Sequence, residues 1–303
     1  MDTSTRFARL AAEPFTVVDA RGLRVRGRGG KIGEIFGRRE LLNLLVRRDL
    51  QARYRDSFLG FLWTVIRPLI QFLMYFIVLG QFLQAARGID QFAIYLFSGL
   101  TLFVFFSDMI SGATGSIIGN AGLVKKIYLP REIFPLASVG AAGFMFFVQL
   151  LILVLAAIVL QALPQPVEML WFFPSLGLIL VYGLALGLLL AALNVYLRDI
   201  QYLTEVVLML AMWASPIVYS WQMVSDAITR SGLPAWVLEV YAANPITIGV
   251  LGFHRAFWNA GTPADYPEGL GMRMLIAGIV GLVLLFLSHR AFVRLQGNFA
   301  QEL

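Results

Sequence analysis

Long apolar runs separated by short polar connections fill most of the chain beyond residue 60. Six of these runs approach the roughly 20 residues that a helix needs to cross the hydrocarbon core of a bilayer. They are residues 61–83, 92–111, 134–160, 171–196, 203–219 and 274–288. Because continuous apolar stretches of this length are typical of transmembrane helices, the pattern predicts an all-α integral membrane protein with six transmembrane helices.

The longest connection between runs, residues 220–273, lies between the fifth and the sixth. It contains short apolar pieces that are interrupted by Pro234, Pro245 and Gly261. Pieces of about 10 to 14 residues are too short to cross a bilayer. We therefore predict re-entrant or interfacial helices in this external region, close to the outer leaflet.

The segment ahead of the first run is polar and basic. Residues 38–56 spread leucines over a broad arc and place arginines between them, which predicts a partly amphipathic helix that lies flat at the membrane interface. Residues 1–37 are rich in glycine and arginine and favour a loose cytosolic arm, whose role stays open. The predicted organisation is an arm over 1–37, an interface helix over 38–59, a six-span domain over 60–296 and a cytosolic tail over 297–303.

The composition and the distribution of charge agree with a membrane protein. Hydrophobic residues make up 59% of the chain and charged residues 14%, a balance too apolar for a soluble globular protein. The formal net charge is +6, and 13 of the 24 lysines and arginines precede residue 60. Basic residues beside apolar spans are typical of the cytoplasmic side, so we expect membrane lipids and not nucleic acid beside these charges. With both termini cytoplasmic, 19 of the 24 basic residues fall on that side.

The chain offers little for catalysis or for metal binding. It has no cysteine and only two histidines, His254 and His289, so a zinc site would have few ligands. The run GRGGKIG fails as a phosphate loop, because Val25 stands at the position of its first glycine and Ile32 replaces the hydroxyl residue that would reach magnesium. We therefore expect no metal, no cofactor and no ATP site in this chain.

Charges inside or near the apolar runs mark candidate functional positions. Arg67, which is followed by Pro68, lies about 10 Å into the first run, where a charge is costly. Two interpretations stay open: Arg67 faces a cavity or functional site, or its long side chain reaches back to the interface. Asp108 near the inner end of the second run and Glu205 near the start of the fifth are expected either to pair with Arg67 or to lie at headgroup depth.

Five separated motifs resemble one family of membrane proteins. The first is RRDLQARYRDSFLGFLWTVIRPL at 47–69, with an Arg-Asp, an Arg-Tyr, a Leu-Gly shortly before a tryptophan, and a proline. The others are NAGLVKKIYLPRE at 120–132, Arg198-Asp199, SPIVY at 215–219 and Asn244-Pro245. In this order, over about residues 38–296, they resemble the permease subunits of ABC-2 type ABC transporters that export lipid-linked polysaccharides such as O-antigen, capsule or teichoic acid.

The resemblance implies a permease subunit of an ATP-driven exporter in the bacterial inner membrane, with no enzymatic activity of its own. It also implies a homodimer of this chain, two copies of a separate ABC ATPase that hold ATP and magnesium, and a lipid-linked polysaccharide as cargo. In the family, the loop between the second and third spans is a coupling helix that docks into the ATPase. By its physical character alone, the same loop could be no more than a basic cytosolic anchor. The candidate coupling residues are Leu123, Lys125, Lys126, Tyr128, Pro130, Arg131 and Glu132.

Arginines around the start of the first run are candidates for binding a lipid diphosphate, because guanidinium groups match phosphate oxygens. The candidate head-group residues are Arg47, Arg48, Arg53, Tyr54, Arg55 and Arg67. Aromatic residues offer stacking faces for sugars, although most of them are expected to pack against helices or lipid. The candidate channel-lining residues are Tyr75, Phe103 and Phe106.

Three other interpretations stay open. One is an ABC-2 exporter of a drug or small lipid. A second is a membrane-embedded glycosyl- or acyltransferase, which would need a metal-binding Asp-x-Asp or a histidine with a nearby aspartate; the chain has no Asp-x-Asp and no early carboxylate after either histidine. The third is an anchoring subunit without transport activity.

Overall fold

Helices account for all the regular secondary structure in the part of the chain that the structure describes. The computed structural model describes residues 39–54, 58–82, 84, 88–126 and 129–303. No strand occurs within these ranges, and several helices are long and apolar, which confirms the predicted all-α membrane fold. The predicted arm over residues 1–37 lies outside the described residues.

The helices are numbered along the described chain. They are α1 (Arg39–Tyr54), α2 (Trp63–Tyr75), α3 (Phe92–Gly119), α4 (Ala121–Lys126), α5 (Ile133–Val159), α6 (Phe172–Tyr196), α7 (Ile200–Trp213), α8 (Trp221–Arg230), α9 (Ala235–Ala243), α10 (Pro245–Phe257), α11 (Leu270–Leu295) and α12 (Phe299–Glu302). A 3-10 turn over Gly60–Leu62 precedes α2, which continues as a π-helix over Phe76–Phe82. Another 3-10 turn over Glu168–Trp171 leads into α6.

Within the described residues, five helical segments are long and apolar enough to cross a membrane. They are Trp63–Phe82, Phe92–Gly119, Ile133–Val159, Glu168–Tyr196 and Pro263–Glu302, and they contain most of the first four predicted runs and the sixth.

The predicted fifth run, residues 203–219, is not one continuous helix. Helix α7 has 14 residues, about 21 Å of rise, and it ends at Trp213. The chain then turns through Ser215 and Pro216. Pro216 has no backbone N–H for a further helical turn, which explains why an apolar composition alone did not extend the helix.

The region between α7 and α11 contains a sharply bent helix pair. Helices α9 and α10 meet at an angle of 76°. At the bend, the Asn244 side chain accepts a hydrogen bond from the Ile246 amide (3.0 Å) and donates one to the carbonyl of Ala214, just past α7 (3.5 Å). At the other end of α10, Trp258 Nε1 donates to the carbonyl of Asp90, just before α3 (2.6 Å). The buried α10 therefore runs between the end of α7 and the start of α3, an arrangement consistent with the predicted re-entrant helices.

Helix α3 is the centre of the packing. Its most apolar stretch is 78% buried, and it packs against α5, α6 and α10. Two glycines of α6 allow its close approach to α3: a Cβ at Gly187 would lie 2.9 Å from the Cβ of Ala113, and a Cβ at Gly183 would collide with Met109. Helix α11 covers another side of α6.

One end of the bundle, called the basic end here, contains α4, Arg131, Arg198 and Arg294. A separate hydrophobic cluster at this end joins side chains from both ends of the described chain. Its buried members include Leu45 of α1, Val124 of α4, Phe134 of α5, and Phe292 and Phe299 near the C-terminus. Helix α1 and the C-terminal segment therefore lie at the same end of the bundle.

Candidate transport site

A polar cavity of about 220 Å³ lies between α2, α3 and α5. Charged and amide side chains from all three helices reach its wall, in segments whose composition is otherwise apolar. Its lining residues are Trp63, Thr64, Arg67, Pro68, Gln71, Phe97, Leu100, Val104, Asp108, Met145 and Gln149. Because polar groups are costly in hydrocarbon, their convergence from three helices indicates an aqueous or ligand-holding space.

The residues of α2 that line the cavity lie on one face of the helix. Thr64, Arg67, Pro68 and Gln71 follow the i, i+3, i+4, i+7 spacing that places residues on one helix face. Pro68 also removes a backbone hydrogen bond from the helix. Of the two open interpretations of Arg67, this placement favours the one in which the side chain lines a cavity.

Helix α3 extends further beyond Asp108 than the predicted second run. The second predicted run ended at residue 111, whereas α3 continues to Gly119, eleven residues or about 16 Å beyond Asp108. The helix can include the small polar residues in this last part because their hydroxyl groups donate hydrogen bonds to carbonyl groups of the same helix. Thr114 Oγ1 donates to the carbonyl of Ile110 and Ser116 Oγ to that of Ala113, each at 2.7 Å. The helix therefore ends eight residues later than the predicted run, and the position of Asp108 near the inner end of the membrane span stays a prediction.

Asp108 and Arg67 reach the same cavity from two different helices. Gln71 and Gln149, which the sequence analysis did not single out, complete the polar wall. Gln149 is only 6% exposed, in the middle of α5. Both residues could have been found as uncharged amides inside apolar runs. Like Arg67, such a polar group is costly in a membrane span and therefore marks a candidate functional position.

The three candidate channel-lining aromatics lie elsewhere in the single chain. Tyr75 Oη approaches the sulfur of Met212 at 3.8 Å and so connects α2 to α7. Phe103 and Phe106 are buried in the central core, with 5% and 2% of their surface exposed. None of the three lines the polar cavity, and their role in a channel stays a prediction.

The arginines of α1 are exposed on a helix that is held to the bundle by its apolar side. Arg47 and Arg48 are exposed, and Arg48 binds the neighbouring Asp49 at 2.8 Å. Leu45 is buried, and Val46 packs so closely on α5 that a Cβ at Gly140 would lie 2.8 Å from it. The side chains of Arg53 and Tyr54, and all of Arg55, lie outside the described residues.

The predicted coupling segment forms a short helix, α4, with its basic residues outermost. Lys125 and Lys126 are exposed at the end of α4, whereas Val124 is buried and Leu123 is partly buried. Asn120 precedes the helix, and its side-chain amide donates to the carbonyl of Ser116 (2.7 Å), which joins α4 to the end of α3. Tyr128 lies outside the described residues.

The C-terminal segment packs directly against the rest of the coupling segment. Gln296 Nε2 donates to Oε1 of the buried Glu132 (3.2 Å), and the guanidinium of Arg131 lies 5.6 Å from the ring centre of Phe299. Phe299 has no exposed surface. Tyr196 at the end of α6 donates to the carbonyl of Leu295 (2.7 Å). No motif in the sequence points to these tail residues beyond a phenylalanine in a polar terminal stretch. Pro130, another candidate, is partly buried just ahead of Arg131.

Two helices expose faces on which a charge lies among apolar side chains. Arg67 is exposed on α2 and Glu205 on α7, where Glu205 accepts a long hydrogen bond from Gln201 (3.5 Å). Helix α11 differs, since every residue that it exposes between Met274 and Ser288 is apolar. These exposed residues are Leu275, Ile276, Ile279, Val280, Leu282, Val283, Phe286 and Leu287.

An ion pair holds the end of the bundle opposite to the basic end. Arg255 at the end of α10 binds both carboxylate oxygens of Glu168, at 2.6 and 3.2 Å, and its guanidinium lies 4.5 Å from the ring centre of Trp171. The pair ties α10 to the beginning of α6. Among the described residues, no group of three or more His, Asp or Glu side chains is arranged to hold a metal ion.

Comparison with known proteins places this geometry in context. Residues 40–258 match the ABC-2 type transporter family. The chain is 30% identical over 274 residues to an O-antigen export system permease protein, RfbA, of Myxococcus xanthus, covering 90% of this chain and 98% of that protein. It is 24% identical over 273 residues to the protein of the same name from Klebsiella pneumoniae, covering 90% and 97%. A shorter match, 29% over 79 residues, links 26% of this chain to 31% of the polysialic acid transport protein KpsM of Escherichia coli.

Proposed function

We propose, from the premise that this chain belongs to the ABC-2 type transporter family, that it is the membrane-spanning permease subunit of an ATP-driven exporter of a lipid-linked polysaccharide. The cargo is argued from the relatives. Permeases named for O-antigen export match along nearly their whole length, and a polysialic acid transport protein matches over a part. The location follows from the long apolar helices, which suit a multi-pass protein of the bacterial inner membrane.

The observation that carries the proposal is the polar cavity, which opens at the exposed Trp63 and Arg67 of α2 on an otherwise apolar helix bundle. A protein that only anchors a partner in the membrane has no need for Arg67, Asp108 and Gln149 at this depth. A transporter needs such groups, because a polar cargo must exchange water for protein groups on its way through the hydrocarbon.

The exposed faces of α2 and α7 support assembly of two copies. Arg67 and Glu205 would be expensive if these faces met lipid, whereas α11 exposes an apolar surface that suits lipid. The second copy therefore covers the α2 and α7 faces, and the pathway lies between the two copies.

The basic end is the side on which the ATPase binds. The exposed Lys125 and Lys126 and the packed Arg131 and Glu132 offer a rigid, charged platform on the cytoplasmic side, consistent with the positive-inside rule. The position of α1 and α12 at this end supports cytoplasmic termini. ATP and magnesium belong to the separate ATPase subunit, which is present in two copies. Closure of the ATPase dimer pushes on the segment over residues 120–132 and moves the helices that pack on it.

The arginines of α1 receive the cargo. Arg47 and Arg48 are exposed at the basic end, and the sequence continues to the other predicted head-group residues Arg53, Tyr54 and Arg55. Their guanidinium groups would bind the diphosphate that joins lipid to glycan, since paired N–H groups match phosphate oxygens. The glycan would then pass outward while the lipid remains in the bilayer.

Reconstitution tests the function as a whole. The tagged chain is purified from its native membranes with the bound ABC ATPase and placed in liposomes with the labelled lipid-linked glycan of the source cells. ATP hydrolysis that moves the glycan across the membrane, and no movement with a non-hydrolysable ATP analogue, is the expected result. A complex that moves a hydrophobic dye but not the glycan would instead assign the chain to drug or small-lipid export. Recovery of the chain without an ATPase would contradict the transporter.

A further inference from the structure

The polar cavity between α2, α3 and α5 differs in chemistry from the arginine-rich surface of α1. We infer that this cavity binds a sugar ring of the glycan, next to the diphosphate and separate from it. The inference rests on the proposed function, because it divides one cargo between two sites. The cavity is then the place where the exporter distinguishes a lipid diphosphate that carries a glycan from one that carries none.

The donors and acceptors of the cavity suit hydroxyl groups better than phosphate. A diphosphate presents only acceptor oxygens and negative charge, whereas the wall holds a carboxylate and two amides beside its single arginine. A sugar hydroxyl both donates and accepts. Arg67 donates, and the amides of Gln71 and Gln149 each donate and accept, so these three side chains match a ring that carries several hydroxyls.

The shape of the cavity also suits a sugar ring. Trp63 lines the cavity and is 38% exposed, so its ring offers an apolar face for the C–H side of a pyranose. Phe97 and Leu100 supply further apolar wall from α3. A volume of about 220 Å³ holds several water molecules and has room for one ring, not for a chain of sugars.

The two sites follow one another along α5 in the order of groups in the cargo: Val46 of α1 packs at Gly140, and Gln149 of the cavity lies nine residues further along that helix. Arg47 and Arg48 lie in α1, ahead of the membrane span, while Arg67 and Gln71 lie in the span itself. A lipid diphosphate held at α1 would place the first sugar toward α2. The cavity would then recognise the sugar that is attached to the diphosphate.

The test compares two lipids on the complete complex with its ATPase in nanodiscs. One is undecaprenyl diphosphate, and the other is undecaprenyl diphosphate that carries a single N-acetylglucosamine; a galactose-bearing lipid is run in parallel. The readout is the lipid concentration that half-maximally stimulates ATP hydrolysis. We expect at least one sugar-bearing lipid to act at about a tenfold lower concentration than the bare lipid, the effect of a hydrogen bond or two with charged groups.

Amide-to-methionine variants locate the discrimination. Gln71→Met and Gln149→Met keep side-chain length and remove the hydrogen bonds, and Gln81→Met is the matched control because Gln81 is exposed on the same span as Gln71 and does not line the cavity. The two cavity variants should lose the preference for the sugar-bearing lipid while the bare lipid acts as before. Replacing Arg47 and Arg48 with glutamine should weaken both lipids equally.

Two results overturn the inference. One is equal stimulation of the unmodified complex by bare and sugar-bearing lipids, and the other is a Gln149→Met variant that weakens both lipids to the same extent. An unmodified complex that hydrolyses ATP but responds to none of the lipids would contradict the proposed function itself, and with it the inference.

Discussion

Helices α2 and α3 have similarly apolar sequences, but α3 is buried in the bundle and α2 is largely exposed. Both belong to spans that are long and apolar enough to cross a membrane. The most apolar part of α3 is 78% buried among its neighbours, whereas that of the α2 span is 6% buried. Helix α3 packs along α5, α6 and α10, and α2 touches the bundle mainly around the polar cavity.

The difference shows that hydropathy reports where a helix resides and not what it packs against. Helix α3 is the scaffold that holds the single chain together. Helix α2 carries Gln71 toward the cavity and leaves a face uncovered on which the exposed Arg67 lies among apolar side chains, with Leu73 and Met74 48% and 62% exposed. In our account this face, with α7, meets the second copy, so the two helices separate the tasks of folding and assembly.

The largest predicted effect follows from a matched pair of phenylalanines. Phe106 of α3 is 2% exposed and Phe82 of the α2 span is 74% exposed. Phe106→Ala leaves a cavity in the packed core and should cost about 3 kcal/mol, while Phe82→Ala should cost less than about 0.5 kcal/mol. Thermal unfolding in detergent, followed by size-exclusion chromatography, measures both. A Phe106→Ala chain that is as stable as the unmodified one but transports poorly would instead place Phe106 in the channel.

The C-terminal segment offers a second matched pair of residues, which tests the coupling of ATP hydrolysis to transport. Phe299 is buried against the coupling segment, whereas Gln301, two residues later, is exposed. Phe299→Ala should release the tail from Arg131 and Glu132, at a cost of about 2 to 3 kcal/mol to the local packing, and Gln301→Ala should have no effect. The expected result is continued ATP hydrolysis with less glycan moved per ATP. Equal transport per ATP in both variants would show that the tail does not hold the coupling segment.

The smallest effects come from two ion pairs that differ in burial. Arg255 binds Glu168 through two hydrogen bonds, with both side chains 33% exposed, while Arg230 and Asp226 are 81% and 64% exposed and 3.5 Å apart. Arg255→Gln should lower stability by about 1 to 2 kcal/mol, and Arg230→Gln by less than about 0.5 kcal/mol. Unfolding measured at low and at high salt checks this, since the exposed pair is the one that salt screens. A larger loss for Arg230→Gln would contradict the packing at the end of α10.

The fold class and most of the spans could be predicted because apolar length alone decides them. The break after α7 depends on a single proline, Pro216, inside a run that is otherwise apolar enough to continue. The end of α3 was predicted too early for the opposite reason: Thr114 and Ser116 make the last part of the helix look polar, yet their hydroxyls are satisfied by their own helix.

The candidate site was predictable in part. A charge inside a span is informative by itself, so Arg67 could be selected from the sequence alone. Its cavity partner Gln149 could not be paired with it, because Gln149 lies 82 positions after Arg67 and only packing brings the two helices together. The contact between Gln296 and Glu132 joins residues 164 positions apart, and no local pattern encodes it.

The most direct test of the central claim is cross-linking between copies in native membranes. The chain has no cysteine, so single cysteines can be introduced without background. The positions are Met74 on α2, Val206 and Met209 on α7, and Ile279 on α11 as the matched control, all of them exposed in the single chain. With a short bifunctional thiol reagent, we expect a two-copy product from α2 or α7 and none from α11. A two-copy product from Ile279→Cys alone would contradict the account, because α11 would then face the second copy and the charge-bearing faces would face lipid.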